Sequence, residues 1–261
     1  GLPTLGLPIQ PDDSFTHNWD DMLVSNEPLA ETVARDPQEM ATMVYTSGST
    51  GRPKGVMLSF AAMQATPQAS RDVVKVGPDD RVLSYLPLAH VYERANVEQA
   101  SLYYGFTVFF ADNLKTFQQD LQRARPTQFL SVPRLWVKFQ EGVNQKIPPA
   151  RQKILFKLPI IGKKVKGKIR ENLGLDQARY AMTASAPLAP EIIAWYQEIG
   201  LELLEGYGMS ENFGYSHCTD PGDRDCTGTV GTVNPYVECR IADNGEIQVK
   251  SGANMRCTMD V

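Results

Sequence analysis

A twelve-residue loop, Tyr45–Val56, combines glycines, hydroxyl side chains and one lysine. Glycines let backbone N–H groups approach oxygen atoms without interference from a Cβ, and serine and threonine hydroxyls add further hydrogen-bond donors. Lys54 adds a positive charge suited to a polyphosphate. The loop is not a Walker A loop, because Gly48 is not followed at the required spacing by Gly-Lys-Ser or Gly-Lys-Thr. The residues therefore predict a phosphate site, and a surface loop without a ligand is the alternative.

Short β-rich runs alternate with helical stretches along the chain, which predicts an α/β fold with a largely parallel sheet. Two predicted strands, Met43–Thr46 and Val56–Ser59, flank the loop. Further strands are predicted at Arg81–Leu86, Thr107–Phe110, Thr127–Ser131, Arg179–Thr183 and Leu201–Leu204. Helices are predicted at Val91–Tyr104, Leu114–Arg123, Pro133–Gln145, Arg151–Asn172 and Pro190–Glu198. Asn244-Gly245, between Val237–Ile241 and Glu246–Lys250, predicts a hairpin at the start of a small β unit.

Composition excludes several classes of protein. The 261 residues are 42% hydrophobic and carry a formal net charge of −4, so the chain lacks the basic excess of a dedicated nucleic-acid binder. Its most apolar run, Leu102–Ala111, is well short of the roughly 20 residues that a membrane crossing needs. Four cysteines without a CxxC pair predict free thiols in a reducing cytosol rather than a zinc site.

One segment, Arg134–Arg170, is strongly basic within this acidic chain. It holds eleven Lys or Arg residues and one acid, Glu141, which gives it +10 and leaves −14 for the rest. The candidate partners are the phosphates of coenzyme A, the anionic headgroups of a membrane, or solvent alone. The spacing of its apolar residues allows an amphipathic helix on a membrane surface, with Ile154, Leu155, Leu158, Ile161, Val165 and Ile169 on the apolar face.

Several motifs resemble those of the adenylate-forming enzymes, the superfamily of acyl-CoA synthetases, luciferases and peptide-synthetase adenylation domains. Tyr45–Val56 resembles their phosphate loop. Leu86–Arg94 resembles the segment that helps to place the substrate carboxylate in long-chain acyl-CoA synthetases. Ala184–Leu188 resembles the turn that lines the adenine pocket, and Glu205–Glu211 resembles the aromatic-hydroxyl-acid motif of the nucleotide site. Later strand motifs are matched, in the same order along the chain, by Gly228–Gly231 with Pro235 and by Gly245–Ile247.

The resemblance implies the layered α/β/α sheets of the family's large N-terminal domain, present in part. Residues 1–40 then form a lead-in segment, 41–215 the α/β AMP-binding core and 216–261 the start of a small β-rich subdomain. The family's ribose-binding aspartate, hinge and distal catalytic lysine are not recognised, and no element is predicted after Lys250. We therefore expect the C-terminal catalytic domain to be absent and this chain to be inactive by itself.

The resemblance also assigns roles to individual residues. Tyr207 offers a flat face to a purine, Ser210 donates to the α-phosphate, and Glu211 holds Mg²⁺. Nucleotide binding is assigned to Thr46, Ser47, Gly48, Ser49, Gly51, Ser185, Ala186, Pro187, Glu205, Gly206, Tyr207 and Gly208. Catalytic roles are assigned to Thr50, Lys54, His90, Ser210 and Glu211.

For three of these residues an alternative to the assigned role is open. His90 orients the substrate carboxylate, or it packs or caps a helix. Glu211 is otherwise a solvated or helix-capping carboxylate, and Lys54 either contacts phosphate or stays mobile. We expect Glu93 and Arg94 to form helix-surface or structural ion pairs with no catalytic role.

The implied function is ATP-dependent activation of a long-chain fatty acid to acyl-AMP and then to acyl-CoA. ATP, Mg²⁺ and coenzyme A are the expected cofactor and cosubstrates, and no nucleic-acid partner is expected. The expected location is the cytoplasm, with peripheral contact to the inner membrane surface. The alternative function is a non-catalytic nucleotide-binding or interaction module that retains the AMP-binding loops.

Overall fold

The computed structural model describes residues 5–6, 17–28, 30–47 and 52–260, and the chain divides into two units between Asp36 and Pro37. The first unit contains two short parallel strands, β1 (Leu5–Gly6) and β2 (His17–Asn18), and helix α1 (Trp19–Ser25). The second unit contains the remaining elements.

The second unit alternates strands and helices, as the sequence predicts. Its strands are β3 (Met40–Thr46), β4 (Lys54–Ser59), β5 (Arg81–Ser84), β6 (Thr107–Phe110), β7 (Gln128–Ser131), β8 (Tyr180–Thr183), β9 (Leu203–Tyr207), β10 (His217–Cys218), β11 (Thr232–Val233), β12 (Val237–Ile241), β13 (Ile247–Ser251) and β14 (Cys257–Asp260). Its helices are α2 (Phe60–Ser70), α3 (Val91–Glu93), α4 (Ala100–Tyr104), α5 (Phe117–Ala124), α6 (Pro133–Lys146), α7 (Pro149–Leu155), α8 (Pro159–Leu173) and α9 (Pro190–Glu198). A π-helical turn, Arg94–Gln99, joins α3 to α4, and Ser210–Asn212 forms a single 3₁₀ turn.

The sheets are mixed in direction. Strands β7, β8 and β9 run parallel in a five-stranded sheet, and β10 and β11 extend it beyond β9 in antiparallel pairs, so that β7 and β11 are its edges. Strands β5 and β6 form a parallel pair, β12 and β13 an antiparallel hairpin, and β3, β4 and β14 an antiparallel sheet. The α/β prediction is confirmed.

The strands around the phosphate loop depart from the predicted largely parallel sheet, because β3 and β4 pair antiparallel. Only residues 47–53 connect β3 to β4. A parallel pair needs a crossover of a dozen residues or more, whereas an antiparallel pair can be joined by a short loop. The short connection therefore imposes a hairpin on the two strands.

The basic segment forms three helices instead of the predicted two. Pro159 begins α8, because the missing N–H of proline costs nothing in the first turn of a helix. Ile169 is buried, and Leu155 and Val165 pack against the main core, so the prediction that these three face a membrane is wrong. Ile154, Leu158 and Ile161 remain exposed. In the part of the chain that the structure describes, no helix has the length and apolar character that a membrane crossing requires.

An aromatic core fixes the central sheet against the helices. Trp136 of α6 meets Phe129 of β7 edge-on at 5.4 Å and Tyr196 of α9 at 5.0 Å, measured between ring centroids. The Tyr196 hydroxyl donates to the Trp136 carbonyl oxygen at 2.6 Å. These contacts hold the parallel strands against α6 and α9.

Candidate active site

One cavity of about 670 Å³ opens where the chain leaves β8 and β9, beside the β3–β4 hairpin. In open α/β sheets, ligands bind outside the carboxyl ends of the strands. Residues assigned from sequence that line this cavity are Thr46, Ser47, Lys54, His90, Ser185, Gly206, Tyr207, Gly208, Ser210 and Glu211. Ala186, Pro187 and Glu205 do not line it, and Gly48, Ser49, Thr50 and Gly51 lie outside the described residues. The structure therefore brings most of the predicted site together from four separate segments.

The β3–β4 hairpin holds the two ends of the phosphate loop at the cavity. Thr46, the last residue of β3, pairs with Lys54, the first residue of β4. Val44 and Val56 are buried beneath them and fix the hairpin to the body of the unit. Backbone amides and a lysine are therefore presented at the same edge of the cavity.

His90 caps a helix, which is one of the two alternatives that the sequence left open, and it also lies at the cavity. It caps α3, since its Nδ1 accepts a hydrogen bond from the backbone N–H of Tyr92 at 3.2 Å. Its side chain also lines the cavity. An accepting Nδ1 leaves the proton of a neutral imidazole on Nε2, so His90 can offer one N–H donor to a ligand.

Glu93 does not lie on the helix surface and forms no ion pair among the described residues, so the prediction of an ion pair is wrong for Glu93. It is buried, and its carboxylate accepts hydrogen bonds from the Ser84 hydroxyl at 2.5 Å and from the backbone N–H groups of Tyr85 and Leu86. Burial raises the pKa of Glu93 despite these bonds. Glu93 therefore bonds α3, the helix that His90 caps, to the end of β5.

Arg94 behaves as expected. It forms an ion pair with Glu98 at 3.6 Å and donates to the Leu88 carbonyl oxygen at 2.7 Å. Both contacts stabilise the segment that carries His90, and neither places the guanidinium in the cavity.

Tyr207 ends β9 and stands directly opposite His217 of β10. Their rings lie 5.7 Å apart between centroids at an angle of 61°. His217 also lines the cavity, and burial lowers the pKa of its imidazole, which favours the neutral form at pH 7. Sequence reasoning missed His217 as a site residue, because only the antiparallel pairing of β9 with β10 brings it to Tyr207.

The loop after Tyr207 folds tightly onto itself. A Cβ added to Gly208 would lie 2.5 Å from the backbone carbonyl atoms of Gly214, which is closer than any side chain tolerates. The Gly214 N–H donates to the Met209 carbonyl oxygen at 2.9 Å, and the Met209 N–H donates to the side chain of Asn212 at 2.9 Å. This closed turn places Ser210 and Glu211 on the cavity wall.

Glu211 contributes the only carboxylate among the described residues that line the cavity. The described ranges contain no cluster of three or more His, Cys, Asp or Glu side chains that could hold a metal alone. A Mg²⁺ ion that accompanies a nucleotide takes one or two protein carboxylates and completes its shell with phosphate oxygens and water. A single carboxylate at the wall fits that kind of site and not an all-protein metal site.

Glu205 has a different place from the one the motif suggested. Its carboxylate accepts the backbone N–H of Gly228 at 2.8 Å and that of Leu188, and burial raises its pKa. It therefore holds the Ala184–Leu188 turn and the Gly228 segment to β9 from behind the cavity. Ser185, in that turn, adopts a left-handed backbone with φ of 75° and faces the cavity.

The rest of the cavity lining is mostly apolar, although Ser70, Asn96 and Gln128 also belong to it. We call its apolar part the apolar wall, which consists of Pro67, Val73, Val74, Val76, Val82, Val91, Ala95, Ala100, Phe106, Leu130, Met182 and Leu204, with Tyr92, Tyr104 and Tyr215 among them. The hydroxyls of Tyr92 and Tyr215 are buried without a partner among the described residues. These residues come from seven helices and strands, from the π-helical turn and from loops between them, and no local pattern predicted them.

Comparison with known proteins agrees with this arrangement. Residues 7–256 match the family model described as AMP-binding enzyme. The chain belongs to the AMP-binding enzyme family. The resemblance drawn from the motifs is thereby confirmed.

The curated relatives of this family member include the peroxisomal long chain acyl-CoA synthetase 6 of Arabidopsis thaliana. The two are 36% identical over 236 residues, which cover 82% of this chain and 33% of the relative. The chain spans about a third of the length of this relative and of the peroxisomal long chain acyl-CoA synthetase 7 of the same plant.

Two solved structures share the fold. The o-succinylbenzoate CoA synthetase of Bacillus subtilis, in complex with its acyl-adenylate intermediate, matches with a TM-score of 0.71 at 20% identity, over 94% of this chain and 48% of that one. The N-terminal domain of FACL13 from Mycobacterium tuberculosis matches with a TM-score of 0.68 at 20% identity, over 95% of this chain and 60% of that one. The predicted N-terminal-domain fold of the adenylate-forming enzymes is therefore confirmed.

Proposed function

We propose that this chain carries the ATP-binding and acyl-binding part of an enzyme that activates long-chain fatty acids to acyl-CoA. The observation that carries the proposal is the single cavity that joins the phosphate-loop hairpin, the Tyr207–Glu211 turn and His90 to an apolar wall. A nucleotide and an aliphatic carboxylic acid need these two kinds of surface side by side. The names of the curated relatives support the same substrate class.

In the first half-reaction, a carboxylate oxygen of the fatty acid attacks the α-phosphorus of ATP. The bond to pyrophosphate breaks, and acyl-AMP forms. The protein contributes positioning and stabilisation of the transferred charge, because both reactants are already chemically complete. Lys54 and the amides at the ends of the phosphate loop receive the phosphates, Tyr207 stacks on adenine, and Ser210 donates to the α-phosphate.

Glu211 would hold Mg²⁺ together with phosphate oxygens. The metal would offset negative charge on the phosphates when bound. The contribution of the chain is the fixed position of this carboxylate, which the closed turn from Gly208 to Gly214 provides.

In this proposal, the apolar wall and His90 bind the fatty acid. The Nε2–H of His90 is available to the substrate carboxylate because Nδ1 is engaged by Tyr92. This donor would orient the attacking oxygen and reduce its repulsion from the phosphates. Residues such as Val73, Val82 and Phe106 would receive the alkyl chain.

In the second half-reaction, the thiol of coenzyme A attacks the acyl carbonyl, and AMP leaves. The four cysteines are free thiols, and we propose a cytoplasmic location, where a reducing environment keeps them so. Because long-chain fatty acids partition into bilayers, we propose peripheral contact with the inner membrane surface.

ATP–pyrophosphate exchange with a panel of fatty acids tests this function. The measurement compares this chain with a version extended at both ends, because the chain spans about a third of the length of its relatives. We expect exchange from the extended version only, stimulated by long-chain fatty acids and not by amino acids. ATP binding without exchange by either version would support the non-catalytic nucleotide-binding module instead.

A further inference from the structure

The corner between α7 and α8 exposes an unusual group of apolar side chains. Ile154, Ile160 and Ile161 are 68%, 74% and 51% exposed, and Leu158 between them is 40% exposed. Single exposed apolar residues are ordinary on protein surfaces. Four within eight residues form a patch, and such patches mark sites of interaction.

The fold builds this corner rigidly. A Cβ on Gly162 would lie 2.8 Å from the Phe156 carbonyl oxygen and 2.9 Å from that of Leu155, so only glycine lets α8 start this close to the end of α7. Phe156 is buried in the main core. The exposed residues on either side are therefore held at the surface by the packing of their neighbours.

A buried glutamine fastens α7 to the rest of the unit. The Gln152 amide donates to the Ile147 carbonyl oxygen at 2.6 Å and accepts from the Trp195 indole at 2.7 Å. Its position next to Ile154 means that α7 cannot rotate to bury the isoleucine without breaking these bonds.

The same corner is strongly basic. Five cations and no acid occur between Arg151 and Lys164. Lys153, Lys157, Lys163 and Lys164 are exposed, and in the described part of the chain none of them forms an ion pair. By contrast, Lys168 further along α8 is neutralised by Glu171 at 3.0 Å. These four unpaired lysines can therefore bind an anionic partner beside the exposed isoleucines.

We propose that the α7–α8 corner docks this chain on an anionic lipid bilayer. The isoleucines would enter the boundary between headgroups and acyl chains, and the lysines would contact the headgroup phosphates. Aliphatic side chains bordered by lysine are typical of surfaces that lie in a membrane interface. Aromatic anchors are typical of protein interfaces, and the exposed side chains from residue 151 to 164 include one arginine, Arg151, and no aromatic ring. This docking is independent of the proposed chemistry, since lipid binding needs neither ATP nor turnover.

Co-sedimentation with lipid vesicles tests the proposal. The chain is mixed, without ATP, with vesicles of phosphatidylcholine alone and with vesicles that also contain phosphatidylglycerol. We expect binding to the anionic vesicles at least about tenfold stronger than to the neutral ones and weakened by added salt. Failure to bind anionic vesicles would overturn the proposal whatever the outcome of pyrophosphate exchange.

Two double variants separate the parts of the corner, and a third serves as a matched control. Ile160→Ser with Ile161→Ser removes two of the four exposed apolar side chains, and Lys163→Gln with Lys164→Gln removes two of the five positive charges. The control, Leu114→Ser with Lys115→Gln, changes an apolar residue that is even more exposed and an exposed lysine, both before α5.

We expect each corner variant to reduce vesicle binding about tenfold or more and the control to bind like the parent chain. Circular dichroism and thermal melting verify that all three variants fold. Full binding by the isoleucine variant would show a basic surface without insertion and would overturn the proposal. An equal loss in the control would do the same.

Discussion

The backbone N–H of Met255 donates to the carbonyl oxygen of Glu211 at 2.6 Å. The next residue, Arg256, donates its N–H to the Met57 carbonyl oxygen of β4 at 2.9 Å. The turn that carries the candidate metal ligand is therefore bonded to a segment that also joins the sheet of the phosphate-loop hairpin. This stretch of backbone therefore links the two halves of the candidate ATP site, which also share one hydrophobic core.

Glu211→Gln tests the carboxylate that this arrangement positions. The substitution keeps the size of the side chain and removes its charge, so the Met255 bond to the backbone stays. We expect pyrophosphate exchange by the extended chain to fall on the order of 100-fold, because charge stabilisation at the phosphates is lost. The Mg²⁺ concentration needed for half-maximal exchange should rise.

Glu141→Gln is the matched control for that change, since Glu141 is exposed on α6 and far from the cavity wall. It should leave exchange unchanged. Normal exchange by Glu211→Gln would refute the assignment of this residue.

Thr50→Ala tests the phosphate loop itself. The prediction rests on the sequence, since a hydroxyl within a glycine-rich loop donates to phosphate oxygens. Exchange should fall about tenfold or more while the circular dichroism spectrum stays unchanged. Thr107→Ala, a change at an exposed threonine of β6 that does not line the cavity, provides the comparison, and equal exchange by the two variants would contradict a phosphate role.

Tyr207→Ala tests the adenine platform. Removing an aromatic ring that stacks on a base costs about 1–3 kcal/mol, so the Kd for ATP measured by calorimetry should rise about tenfold. Tyr207→Phe keeps the ring and its edge contact with His217, and it should bind ATP nearly as the parent chain does. Equal weakening by both variants would mean that the hydroxyl matters and the ring does not.

Local sequence signals were sufficient for many elements of the fold. Thr107–Phe110, Pro190–Glu198 and Val237–Ile241 have the predicted bounds, because β-branched and aromatic runs and a first-turn proline act within a few residues. β14 was not predicted. Its four residues form a strand because they pair with β4, some two hundred positions earlier in the chain.

The candidate site also combines features that local sequence predicts with features that depend on distant contacts. The motifs identified the polar residues of the cavity, but the apolar wall depends on packing between distant elements. Glu205 shows this limit within one motif. Its neighbours Leu204, Gly206 and Tyr207 line the cavity, whereas its own carboxylate accepts the N–H of Gly228, a contact that only the fold reveals.

Asp80 gives a stability prediction with a defined pH dependence. Its carboxylate is buried, which alone would raise its pKa, but hydrogen bonds from Thr127, Arg179 and Gly77 outweigh burial and lower the pKa below its usual 3.8. The Arg179 guanidinium lies 2.7 Å away and is half exposed, so water screens part of the attraction. Asp80→Asn should reduce the free energy of unfolding by about 1–3 kcal/mol at pH 7.

The sign of the pH effect follows from the lowered pKa. The stabilisation is present above pH 3.8 and is lost as the pH falls through the lower pKa of the folded state. Urea unfolding should therefore separate the variant from the parent at pH 7 and show a smaller difference between them at pH 3. Asp79→Asn, an exposed neighbour, should change neither value. A constant difference at both pH values would point to lost packing instead of lost charge.

Gly208→Ala tests the close approach that shapes the Tyr207–Glu211 turn. The added Cβ would lie 2.5 Å from the Gly214 carbonyl atoms, so the turn must open and shift Ser210 and Glu211. We expect a loss of about 1–3 kcal/mol in the free energy of unfolding, measured with urea, together with weaker ATP binding. Gly142→Ala in the middle of α6 meets no atom within 4 Å and should stabilise the chain by about 0.5–1 kcal/mol through helix propensity. A Gly208 variant as stable as the parent would show that the turn can yield without cost.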